Sequence, residues 1–149
     1  MACLAIDLHR TASTTLSLGN VTADATRPRR TKWYEFNIGS EGTPADNIFL
    51  WVFQRCTTAG TATAVVPQPL DPANSATELD AAENHTIEPT YTAAAFMMQL
   101  PLNQRATFRW QANPNGEFIT PATASNGIGV QTPTSTALAI TAQLFVDEQ

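Results

Sequence analysis

Positive charge is scarce in this chain. Lys32 is the only lysine, and eight basic residues stand against thirteen acidic ones, a net charge of −5. Proteins that bind nucleic acid concentrate Lys and Arg against phosphate, so no nucleic-acid partner is expected. Histidine is almost missing too: His9 and His85 are far apart, and neither sits in a metal-ligand spacing pattern. With no glycine-rich phosphate loop and no GxSxG elbow, the chain offers no nucleotide or serine-hydrolase signature. Acidic residues are too scattered for a carboxylate dyad. No apolar run approaches the roughly 20 residues of a membrane span. Asp7 and His9 interrupt the first apolar stretch before a signal-peptide core can form. The expectation is a soluble, non-enzymatic protein made in the cytoplasm, with no membrane contact, no cofactor and no metal. The two cysteines, Cys3 and Cys56, allow one disulfide, but nothing in their spacing requires it. Free buried thiols are the simpler reading.

Total charge is also low, at 14% against a usual quarter, and threonine and alanine fill the space. Ten prolines and seven glycines are scattered along the chain, which suits many short strands and excludes long helices. At 149 residues the chain is one domain, 1–149, large enough to bury a core without a staple. Period-two alternation, which puts one apolar face on a strand, recurs in most segments. It places Leu4, Ile6 and Leu8 together within 2–9, and Trp33, Tyr34, Glu35, Phe36, Asn37 and Ile38 form a second alternating run. Leu138, Ile140, Ala142, Leu144 and Val146 share a face in 137–146. Shorter strands are expected at 16–21, 64–66 and 128–130.

The stretch 96–119 reads as the centre of the fold. Phe96, Met98 and Leu100 alternate, Pro101 breaks the run, and Phe108 and Trp110 alternate in a second strand. Asn113-Pro114-Asn115-Gly116 then predicts a hairpin reversal. Phe108 and Trp110 are expected between two sheets, and Trp51 and Trp110 in the core. Residues 48–53, IFLWVF, are apolar without interruption, which predicts a strand covered on both faces, the outer one by a loop or another subunit. The fold class expected is all-β: a two-sheet antiparallel sandwich of eight to ten strands, jelly-roll-like, with one long loop at 67–92.

That segment carries four prolines and five acidic residues, with a short helix possible over 74–83 capped by Asn74 or Ser75. The only basic cluster, Arg27 to Arg30, is either a solvated loop or a docking patch. As a patch, Arg27, Arg29 and Arg30, with Trp33, would meet Asp71, Glu78, Asp80, Glu83 and Glu88 of a neighbouring copy. The aromatics Trp33, Tyr34, Trp51 and Trp110 allow a different reading, a sugar-stacking platform on a carbohydrate-binding sandwich. A cupin-like enzyme would share the jelly roll, but it needs an inner His/Glu metal cluster that two distant histidines do not supply.

Several phrases stand out as a set: LHRT at 8–11, TRPRRTKWY at 26–34, GTPAD at 42–46, ENHTIEPTYT at 83–92, PLNQRATFRW at 101–110 and PATASNGIG at 121–129. Together they resemble a family of small proteins encoded in tailed-phage structural gene blocks and associated with the phage head. The resemblance implies a virion structural protein, a capsid decoration (cement) protein on the outer surface of the major capsid shell. Its partner would be the major capsid protein. It supplies no catalytic residue. Closed symmetry and three-fold capsid positions add the expectation of a homotrimer.

Overall fold

Alternation becomes pairing along nearly the whole chain. The computed structural model describes residues 2–74, 77–134 and 137–149, and among them lie twelve strands and no helix. In chain order these are β1 (Ala2–Thr11), β2 (Gly19–Ala23), β3 (Thr31–Ser40), β4 (Ile48–Cys56), β5 (Thr61–Val65) and β6 (Gln68–Pro69). They continue with β7 (Leu79–Ile87), β8 (Tyr91–Asn103), β9 (Phe108–Gln111), β10 (Phe118–Thr120), β11 (Gly127–Gln131) and β12 (Ala139–Glu148).

Two antiparallel sheets result. One has the order β10-β3-β12-β1-β6, with β9 also on β3; the other runs β5-β7-β2-β11-β4-β8. The chain winds between them as a jelly roll: β1, β12, β3 and β10 lie in one sheet, and β2, β11, β4 and β8 in the other. The segment β5–β7 is an addition to that plan and widens both sheets on one side. β9 and β10 pair antiparallel with successive halves of the same β3 edge, at Glu35–Ile38 and Thr31–Trp33. They therefore run in the same direction. The turn at Asn113–Gly116 does form, with the Gly116 N–H donating to the Asn113 carbonyl at 2.8 Å and Asn115 at φ 67°. It is an excursion within one interrupted strand and not the predicted hairpin. Pro101 does not break its strand either. β8 is an edge strand, where a missing N–H is tolerated, and Pro101 pairs opposite Leu50.

The long loop predicted at 67–92 is corrected most. It contains β6, all of β7 and the first residues of β8, and β7 sits between β2 and β5. The helix predicted over 74–83 is replaced from Leu79 onward by this strand; its alternative cap Ser75 lies outside the described residues. The inward positions of β7 are Leu79, Ala81 and His85, two of them small or polar, so the apolar alternation was faint. Asn84, at φ 54°, also shifts the register where β5 meets β7.

Between the sheets lies an aromatic stack. Phe36 of β3 and Phe53 of β4 face each other across the interface at 4.4 Å, and Trp33 meets Phe53 edge-on at 6.5 Å. Around them pack Leu4, Ile6, Leu8, Phe49, Trp51 and Leu144, all buried. Trp110 stacks on Phe36 at 5.1 Å and on Phe118 at 4.5 Å, so its inward face was read correctly. Trp110 and Phe108 are nevertheless only half-buried, because four-residue β9 lies on the sheet margin. The centre of the core is the β3–β4 contact.

Candidate interaction surface

The arginine cluster and the acidic segment do meet, but within one chain. Arg27 Nε lies 3.0 Å from Glu78 Oε2, and the Arg27 side chain stays 72% exposed. A pair this wet contributes at most about 1 kcal/mol. Asp24 orders the approach: its Oδ1 accepts from the N–H groups of Thr26 and Arg27, each at 2.7 Å, which holds its carboxyl below the usual range. The remaining acids are used locally. Asp71 accepts from the Ala73 N–H at 2.9 Å, and Glu83 accepts from the His9 N–H at 2.6 Å. Glu88 accepts from both the N–H and the hydroxyl of Ser17. Asp80, Arg29 and Arg30 are exposed. Trp33 has to be withdrawn from the interface set, since its side chain is 0% exposed within the core. Its neighbours in TKWYEF read equally well as outward or inward, and only the β-bulge opposite Phe145 and Val146 decides which way the indole points.

The aromatic platform does not form. Trp33 and Trp51 are buried, Trp110 is half-buried, and Tyr34 pairs with Phe145 at 6.4 Å, away from the other three. Both cysteines are free; Cys56 is buried, which pushes its thiol up to about 11, while Cys3 is exposed, contrary to the expectation of two buried thiols. Among the described residues no three His, Cys, Asp or Glu side chains are grouped so as to hold a metal ion.

A network invisible in the sequence ties the added strands to the jelly roll. The Ser17 hydroxyl bonds Glu88 Oε2 at 2.8 Å and the Tyr91 hydroxyl at 2.5 Å. Arg10 Nη1 donates to the carbonyls of Ser17 at 3.1 Å and His85 at 2.8 Å. His85 Nε2 donates to the Ala59 carbonyl at 3.1 Å. Burial pushes the Tyr91 hydroxyl up and holds His85 below its ordinary value. Folded His85 therefore binds fewer protons than the unfolded chain once pH drops below about 6.5, so its contribution to stability is complete above that pH and declines on acidification. His9 acts in the opposite sense: its bonds to Asp7 and then Glu41 raise it, but it is half-exposed and its contribution is screened. His85→Gln, which keeps a donor toward Ala59, should flatten the rise of urea midpoint between about pH 5 and 7. An unchanged slope would show that His85 is not the group responsible.

Another surface feature is a strip on the outer side of the second sheet. In β4, Phe49, Trp51 and Phe53 point inward, leaving Ile48, Leu50 and Val52 outward. The Gln131 side chain covers the Gln54 end, donating to Gln54 Oε1 at 3.1 Å. Cover is otherwise thin: Ile48 at the far end is 65% exposed, and in adjoining β8 Pro101, opposite Leu50, is exposed and Phe96, opposite Gln54, is 49% exposed. β8 itself is a thirteen-residue edge strand with no charged side chain. Free edges this long and uncharged are where sheets acquire partners. No protein-family model, curated protein or solved structure matches the chain.

Proposed function

We propose that the protein is a virion structural protein that decorates the outer surface of a phage capsid, bound to the major capsid protein and assembled as a homotrimer. The observation that carries this reading is the uncharged β8 edge beside the outward apolar strip of Ile48, Phe96 and Pro101. Apolar area must supply the affinity, because Arg27 already has its carboxylate partner on the same chain. A rigid double sheet with short connections suits a part that must keep its shape at high copy number. The resemblance of those phrases to the phage-head family points the same way. Fold alone carries no such conclusion, since jelly rolls serve shells, lectins and enzymes alike.

The test is gradient copurification with intact capsids, alongside light scattering of the isolated protein. The expected results are a trimer and cosedimentation with heads. Ile48→Lys combined with Phe96→Lys should abolish cosedimentation while leaving the urea midpoint nearly unchanged, because both side chains are solvent-facing. Retained capsid binding in that variant would sink the strip as the contact.

A further inference from the structure

The outer face of the first sheet is built differently. Successive cross-strand partners place Asp7 opposite Gln143, Gln143 opposite Asn37, and Asn37 opposite Arg109. Four planar polar side chains thus form one row across β1, β12, β3 and β9, stepped by the inter-strand spacing of about 4.7–4.9 Å. The next row is His9, Thr141 and Gly39. Gly39 contributes no side chain, and Thr107 closes over the gap, its Cγ2 3.2 Å from where a Cβ would stand. The result is a groove of about 410 Å³ bordered by this row, Thr141 and Thr107. That volume lies within the roughly 300–1,000 Å³ of small-ligand clefts.

We propose that this groove binds a neutral saccharide chain lying across the strands. The charged members of the row are already engaged: Arg109 Nε donates to Glu35 Oε1 at 2.7 Å, and Asp7 Oδ2 lies 3.0 Å from His9 Nε2. The two central amides, Asn37 and Gln143, make no side-chain hydrogen bond among the described residues and are half-buried. Each amide presents donors and an acceptor, and each sugar hydroxyl is both, so a pair of adjacent hydroxyls satisfies them. The Thr107 methyl, over Gly39, offers apolar contact for the C–H face of a ring, whereas the Phe108 ring turns the other way, toward Phe36 in the core. A polyanion is disfavoured, because the only arginine here is neutralised by Glu35 and Asp7 faces the groove. A peptide strand has no free edge to join, since the backbone of β12 and β3 is paired on both sides. The site is separate from the apolar strip, which lies on the other sheet.

Affinity electrophoresis of the intact protein tests the idea, in gels containing a soluble glucan, mannan or galactan, with alginate as the anionic polymer. Retardation is expected on at least one neutral polymer and not on alginate. Asn37→Ala with Gln143→Ala should weaken it about tenfold or more, roughly one lost polar pair. Ile48→Lys with Phe96→Lys should leave it unchanged, which separates this site from the capsid contact. Failure on all three neutral polymers, retention equal in the Asn37/Gln143 variant, or stronger retention on alginate would overturn the proposal.

Discussion

Phe53→Ala should lower the free energy of unfolding by about 3–5 kcal/mol, the range for removing a fully buried aromatic ring and leaving a cavity. The ring is completely buried and bridges the sheets: it stacks on Phe36 at 4.4 Å, meets Trp33 edge-on at 6.5 Å and Phe118 at 6.2 Å. Its neighbours are held by strands on both sides, so the space cannot close without breaking ladder hydrogen bonds. Trp110→Ala should cost clearly less despite the larger ring, because Trp110 is half-buried on marginal β9. Urea unfolding of both variants gives the comparison. If Trp110→Ala were the more damaging, the core would be centred on the 96–119 stretch after all.

Gly127→Val should cost about 3 kcal/mol or more, at or beyond the upper end usual for overpacking. Gly127 lies in β11 between Thr22 of β2 and Cys56 of β4, in the middle of the second sheet. A Cβ there would run into the Val21 carbonyl oxygen and approach the Thr22 Cα to 2.7 Å. Both obstacles are backbone, so relief requires β2 and β11 to part. Gly42 provides the contrast: its φ is +82°, but nothing stands within 4 Å of an added Cβ. Gly42→Ala should therefore show only the modest backbone penalty of a left-handed position. The measurement is the urea midpoint of each variant, and a Gly127→Val protein as stable as the parent would mean that the strands are not so closely spaced.

The site was less legible than the scaffold, and the reasons differ by residue. Arg27 and Glu78 were both singled out as charges seeking partners, but fifty-one positions separate them and only the fold shows that they pair within one chain. The row of Asp7, Gln143, Asn37 and Arg109 draws on four distant strands, and each residue alone looks like an ordinary solvent-facing polar position. The Ser17, Glu88 and Tyr91 network escaped for the same reason. Exposed Ile48 had a signal, the apolar excess of IFLWVF, which marked an outer face in need of a partner; Phe96 had none, because the register shift that sets it opposite Gln54 is not visible in its alternation with Met98 and Leu100.

What the sequence by itself determined is the class of fold and the inward faces of the long strands. Period-two alternation is a local property, imposed by the pleat on each residue and its next neighbour but one, so Leu4, Ile6, Leu8 and Leu144 could be assigned without knowing what they touch. Tertiary structure alone decided the turn at Asn113–Gly116, the strand hidden in 79–87, and the burial of Trp33. A turn sequence sets a local bend but not which edge the next strand finds. Both β9 and β10 settle on β3 because that edge is open and Trp110 and Phe118 stack there at 4.5 Å. β7, with only alanine and histidine at inner positions beyond Leu79, has too little apolar signal of its own. It becomes a strand because β2 and β5 offer backbone partners on both sides, a condition met only once the sheets have formed.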